Sequence, residues 1–341
     1  MSNQKQSLKP ISRRKFISTT AFAITAIALP FPLTIYSGNL MTNPKHYDVI
    51  IIGGSYSGLA AAMALARALF NVLIIDATNP CNRNTPQSHN FITHDGKTPA
   101  EISAQARQQL SKYSTVTFFT GFATHAKKSK DMFEIQAAGK TFHANKLIFA
   151  TGITDIFPEI PGFAECWGIS ALHCPFCHGY EVRNDKTGII GNGVQAFELL
   201  RLISNWTNDL TLYTNGTSAL TPDQTSKLLK HHIKIVDKKI NKLEHLNGYV
   251  QNIIFNDDTK SPVEAIYSRL DFVQHSALPQ SLGCELTEEG YIKVNPSLET
   301  TIDGISACGD NATKMRAIAT AVAMGTTAGM MLTKKIIAEA F

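Results

Sequence analysis

Two thiols stand two residues apart at Cys174 and Cys177, followed directly by a histidine, in the run Cys174-Pro175-Phe176-Cys177-His178-Gly179-Tyr180-Glu181. At that spacing a pair of thiols can close into a disulfide and so exchange two electrons with a partner. The same pattern also serves haem attachment through Cys174, Cys177 and His178, makes part of a zinc site if His173 joins it, or forms a purely structural disulfide. Context has to separate these readings. Zinc on four such close neighbours is crowded and has no second cysteine arm, and haem attachment leaves the glycine-rich turns of the chain without a purpose.

The elements that must position the thiols are two glycine-rich turns, one on each side. The first, Gly53-Gly54-Ser55-Tyr56-Ser57-Gly58, follows the β-rich run 46–52 and precedes a small-residue stretch, 58–70, that predicts a helix. A second apolar strand, 71–75, then ends at Asp76, which completes a dinucleotide-binding βαβ unit. In such a unit Gly53 allows the tight turn and Gly58 allows close helix packing. The helix start faces a pyrophosphate, and Asp76 can accept both ribose hydroxyls. Ser55 replaces the middle glycine of the usual pattern. The second turn, Gly191-Asn192-Gly193-Val194-Gln195-Ala196, lies between the strand 187–190, a helix expected over 196–205 and the strand 210–213, so Gly191, Gly193 and Ala196 are candidates for a nicotinamide nucleotide. Two further strands run into small turns, 146–149 into Ala150-Thr151-Gly152 and 304–308 into Gly309-Asp310, and an Ala- and Thr-rich helix follows from about Ala317. The fold class is α/β, with two dinucleotide-binding Rossmann-like domains.

A chain of 341 residues with 44% hydrophobic content has room for two domains. The net charge of +5 belongs to Lys5, Lys9, Arg13, Arg14 and Lys15, in a stretch without an acidic residue, so no basic face argues for nucleic acid. Ser12-Arg13-Arg14-Lys15-Phe16 is a twin-arginine pattern before an uncharged run, which predicts an export signal over 1–40 and a periplasmic destination. An uncleaved membrane anchor is the alternative, made a poor spanning helix by Pro30 and Pro32, so no stable membrane span is expected after processing. The remaining cysteines, Cys81, Cys166, Cys284 and Cys308, are scattered and are expected to be buried small side chains.

In this order and spacing the motifs resemble the low-molecular-weight thioredoxin reductases of the FAD-dependent pyridine-nucleotide disulfide oxidoreductases, and cover the chain from about residue 45 to its end. The resemblance implies an FAD domain split into 45–155 and 283–341, with the nucleotide-fold domain 156–282, carrying the cysteine pair, inserted into it. It implies FAD along the first unit, Asp310 at its ribityl-phosphate region, the Thr151-Gly152 turn at the cofactor, and Arg316, Ala317 and Ile318 near the flavin ring. Asn90 lies in the loop that approaches the flavin in relatives, whereas Arg83, Asn84 and His89 are read as loop capping. Cys177 is then the flavin-side thiol, Cys174 the interchange thiol, and a homodimer is expected.

Within the family the motif is similar to that of the dithiol oxidases that close disulfides in small metabolites. Thioredoxin reductases carry an acid after the second cysteine, where this chain has His178, which can take protons from a dithiol or stabilise a thiolate. The second nucleotide unit has no lysine or arginine between Arg201 and Lys227 to meet a 2′-phosphate, so NADPH is not assigned to it. The expected activity is oxidation of a small-molecule or protein dithiol through Cys174 and Cys177, with electrons passing by FAD to oxygen or another acceptor. Two alternatives stand beside it, an NADPH-dependent disulfide reductase and a non-catalytic flavin redox sensor. No metal is expected.

Overall fold

A computed structural model describes residues 46–129 and 132–341. The expected export signal or anchor therefore lies outside the described residues. Among them, no helix is long and apolar enough to cross a membrane.

The first sheet has seven strands. Val116–Thr120, Val72–Asp76, His46–Ile52, Lys140–Phe149 and Ile305–Ala307 run parallel, and Met132–Ala137 and Ala123–Ser129 extend the sheet antiparallel. Its central strands are apolar on both faces, as a covered parallel sheet requires. Ile50, Ile52, Leu73 and Ile75 enter one core, while Val49, Ile51, Val72 and Ile74 enter the other. The second core is capped by the helices Tyr56–Arg67 and Ile318–Ala340. These two helices pack at backbone distance: a Cβ on Gly325 would collide with the carbonyl of Ser57, and one on Gly329 would stand 2.6 Å from the carbonyl oxygen of Ala61. The small residues of the last helix thus bring it against the glycine turn.

After Phe149 the chain leaves this sheet through Ala150-Thr151-Gly152 and the strand Ile153–Asp155, which pairs antiparallel with Phe272–Gln274 on the way back. Everything between is the inserted domain, a five-stranded parallel sheet with a three-stranded antiparallel sheet beside it. Leu278 and Cys284 already pack in the first core, so the two-stranded ribbon is where the chain crosses between domains.

The observed helix Tyr56–Arg67 starts and stops earlier than the expected 58–70. Ser55 is its N-cap in extended backbone, and Leu69, at φ 67, turns left-handed to end it, with the Phe70 N–H donating to the Leu65 carbonyl (3.2 Å). Likewise the second nucleotide helix spans Gly193–Ile203, beginning at its glycine.

Candidate functional site

The carboxyl ends of the parallel strands open onto a cavity of about 600 Å³, where ligands of doubly wound sheets bind. Gly53, Gly54, Ser55, Tyr56, Ser57, Asp76, Thr151, Gly152, Asp310, Arg316, Ala317 and Ile318 all line it, as do Cys177 and His178. Gly58 and Gly309 stand behind the wall and shape it. A Cβ on Gly58 would collide with the carbonyl of Gly53, and one on Gly309, whose φ is 90°, would stand 2.5 Å from Ser57 Oγ. Asn311, fully buried, ties the two small turns together by donating from Nδ2 to the Phe149 carbonyl (2.9 Å) and to Thr151 Oγ1 (3.3 Å).

Asp76 stands at the end of its strand, but it is busier than its sequence position implies. Oδ1 accepts from the N–H groups of Gly54 and Thr78, both at 3.2 Å, and Oδ2 pairs with Arg107 from the helix Pro99–Leu110. A carboxylate offers about four lone-pair positions, and these contacts already draw on them from within the protein. Arg107 also donates to the Gly54 carbonyl (3.0 Å) and packs on Phe118, and no local motif marks it.

Arg316 reaches back across the cavity to the ribbon. Its Nη1 and Nη2 donate to the two oxygens of Asp155 at 2.7 and 3.0 Å, and Nε lies 3.8 Å from Asp310 Oδ2 without a hydrogen-bond partner. Trp167 Nε1 donates to the same Asp155 (3.2 Å). Burial pushes the Asp310 carboxyl above its usual range, although Arg316 pulls it back down.

The redox segment is a one-turn helix, Pro175–His178, with Cys174 as its N-cap. The cysteines form a disulfide, with Cα atoms 5.3 Å apart, and the Cys177 N–H donates to Cys174 Sγ (3.1 Å). Haem thioethers or zinc thiolates would need these sulfurs unbonded to each other. Cys177 faces the cavity, and Cys174 does not line it. Burial, with His89 nearby, pushes His178 down to about 4, and burial, with Arg316 nearby, pushes His173 down to about 3. Both rings are therefore neutral near pH 7. A neutral imidazole keeps one ring nitrogen to accept a proton and one N–H to donate, so both expected roles of His178 remain open to it. His173 also lines the cavity, with a buried Nε2 that has no partner.

Three loop expectations change. Asn90 is exposed, lies outside the cavity wall and donates its backbone N–H to Asp95 Oδ1 (2.8 Å) within its own loop. His89 lines the cavity and faces two carboxylates, at 3.5 Å from Glu181 and 3.6 Å from Asp95. Cys166, Cys284 and Cys308 are buried as expected, whereas Cys81 is exposed on the cavity side, its Sγ 4.0 Å from Asp310 Oδ2. Crowding by protein and the Asp310 charge push that thiol up to about 11.

Gly191, Gly193 and Ala196 do not come to this cavity. They begin a separate βα turn that Asn192 occupies with its own side chain. Its Oδ1 accepts from the N–H groups of Gly193 (2.9 Å) and Ala219 (2.8 Å), while Nδ2 donates to the Thr217 carbonyl (2.9 Å). One basic group does approach the following loop, because a Cβ on Gly216 would stand 3.5 Å from Lys239 Nζ. Lys239 lies beyond the stretch without lysine or arginine, so the sequence gap overstated the lack of charge.

The first cavity fits FAD on its own structure. Its glycines leave no room for side chains where a cofactor backbone must approach, and its first helix has no side-chain cap on its opening N–H groups. The buried Arg316 Nε and His173 Nε2 are donor or acceptor atoms without partners in a cavity wall.

Comparison with known proteins agrees. The pyridine nucleotide-disulphide oxidoreductase family model matches residues 47–325. Thioredoxin reductase tcpT of Claviceps purpurea is 31% identical over 311 residues, covering 88% of this chain and 97% of that protein. Thioredoxin reductase aclD of Aspergillus oryzae is 31% identical, covering 83% and 94%. An oxidoreductase of known structure from Agrobacterium tumefaciens superposes with a TM-score of 0.81 at 35% identity, over 86% of this chain and 99% of that one. FAD is the cofactor, two Rossmann-like domains hold it and the disulfide, and the chain belongs to the pyridine nucleotide-disulphide oxidoreductase family as a thioredoxin reductase-like enzyme acting on sulfur groups.

Proposed function

We propose that the enzyme oxidises a dithiol, either a small molecule or a protein, to a disulfide through Cys174 and Cys177, and that the electrons leave through FAD to oxygen or another acceptor. The observation that carries this reading is His178 beside Cys177 in the cavity wall, at the position where thioredoxin reductases carry an acid. Reduction of a substrate disulfide needs an acid to protonate a leaving thiolate, whereas oxidation of a dithiol needs a base. A neutral His178 can serve as that base.

In this reading Cys174 exchanges with the substrate and Cys177 faces the flavin. Gly53 to Ser57, Asp76 with Arg107, the Thr151-Gly152 turn, Asp310 and the start of the helix at Ile318 hold the FAD, which supplies a two-electron sink when bound. Arg316, locked onto Asp155, positions the wall between ribbon and cofactor. Two further parts belong to the same proposal: export by the twin-arginine segment and assembly as a homodimer, the latter checked by sedimentation equilibrium.

A second reading, an NADPH-dependent disulfide reductase, has Lys239 in its favour. Against it, Asn192 fills the turn that a pyrophosphate would need. An anaerobic titration separates the two: dithiothreitol should bleach the flavin absorbance, NADPH should not, and admitted oxygen should restore it with formation of peroxide. Rapid bleaching by NADPH alone would sink the oxidase. Reduction and reoxidation without sustained turnover would identify a redox sensor.

A further inference from the structure

Oxidation of a dithiol breaks two S–H bonds, forms one S–S bond and releases two electrons and two protons. A bound FAD would supply the two-electron sink and would take up one proton of the pair. The other must pass from the cavity to solvent. Within that cavity His178 is the base beside Cys177, and His89 shares the wall with it. His89 belongs to the loop of the FAD domain held by the Ser88–Lys97 bridge, and Glu181 belongs to the redox segment, so their contact joins the two domains.

We propose that His89, backed by Glu181 and Asp95, is the second station of a proton exit path that starts at His178 and ends in solvent. The inference rests on the dithiol-oxidase reading and deepens it. His89 Nδ1 lies 3.5 Å from Glu181 Oε1 and 3.6 Å from Asp95 Oδ2, and the side chains open outward in order, 16% exposed at His89, 36% at Glu181 and 66% at Asp95. The two carboxylates give a protonated His89 a counter-charge, while His178 has no such partner among the described salt bridges. Burial also makes His178 a poor place for a proton to stay, and the charge of a protonated His89 pushes its proton affinity lower still. A proton accepted at His178 is therefore passed on to a ring that two carboxylates face. His89 acts through His178 and is a positioning residue. Its bond to Glu181 also means that the path is complete only when the redox segment sits against the FAD domain.

The test uses the flavin-loaded enzyme and the variants His89→Gln and Glu181→Gln. In anaerobic stopped flow with dithiothreitol, His89→Gln should slow flavin bleaching about tenfold near neutral pH, with a flattened pH profile and partial rescue by added imidazole. Glu181→Gln, on a partly exposed side chain, should slow it less and shift the same profile. A second readout does not depend on turnover. The imidazole NMR signal of His178 should titrate at higher pH in His89→Gln, because a neighbouring charge has gone. Wild-type rates and an unchanged profile in His89→Gln at full flavin content, or a His178 signal that ignores the substitution, would overturn the relay. If dithiothreitol fails to reduce even the wild-type flavin, the direction of electron flow has failed, and the NMR titration alone then upholds or overturns the electrostatic coupling of the two histidines.

Discussion

At the scale of single residues, the site is built from groups that face one another across long stretches of chain. Cys177 is the clearest case. It lines the cavity and Cys174 does not, so Cys177→Ser should abolish flavin bleaching by dithiothreitol, at least about a hundredfold, with flavin content retained. Bleaching at the wild-type rate would show that the disulfide is structural. Arg316 is a different kind of residue, since its side chain is 15% exposed and that of Asp155 only 8%, with both guanidinium ends engaged. Removing one partner of such a pair strands the other, so Arg316→Met should cost about 3–5 kcal/mol, read as a large fall in melting temperature. The cysteine pair, His178, Asp76 and Asp310 were legible in the sequence because each ends a strand or sits in a short motif. Arg107, Asp155 and His89 were not. Arg107 meets Asp76, Asp155 meets Arg316 and His89 meets Glu181 across 31, 161 and 92 residues, and no local periodicity encodes that pairing.

At the scale of elements, the glycine turn works only because two helices are pressed together behind it. Replacing glycine by alanine inside a helix should normally help by about 1 kcal/mol through propensity. At Gly325 the added carbon would instead collide with the backbone of Ser57, which cannot swing aside as a side chain could. Gly325→Ala should therefore destabilise by about 1–3 kcal/mol and lower the flavin-to-protein absorbance ratio, because Ser57 lines the cofactor cavity. Met330→Ala on the exposed side of the same helix is the control, expected to change stability by less than about 0.5 kcal/mol. If Gly325→Ala stabilises, propensity outweighs packing and the close approach is not needed. The inserted domain supplies the second case. Asn192→Ala removes the bonds that pin 217–219 to the helix start and should raise affinity for NADPH in an equilibrium titration. Periodicity located the buried strands of both nucleotide units. It gave less warning of the ribbon Ile153–Asp155 with Phe272–Gln274, whose strands are three residues each and pair over more than a hundred intervening residues.

At the scale of the whole molecule, the cavity lies on the seam between two domains, and the seam is acid-sensitive. His173 and His178 both belong to the inserted domain and face the FAD domain across the cavity, held down to about 3 and about 4 mainly by burial. A histidine in the unfolded chain protonates near pH 6.5. Between about pH 6.5 and 4 the unfolded chain thus binds protons that the folded one refuses, so stability falls as pH falls through that window. The contribution is fully present above the unfolded value and is spent once pH drops below the folded values. Asp310 works in the opposite direction, because burial raises its carboxyl above the usual range and acidification favours the folded form there. Two rings oppose one carboxyl. Each ring can contribute at most about 1.4 kcal/mol per pH unit, so the histidines set the sign. Thermal scans of the flavin-loaded enzyme should show a level melting temperature from about pH 8 to 7 and a steady decline from 6.5 towards 4, with flavin fluorescence released in the same transition. The double variant His173→Asn, His178→Asn should flatten that decline while leaving the curve above pH 7 in shape. A decline of equal slope in the double variant would place the acid-sensitive groups elsewhere and remove the two histidines from the seam's charge balance.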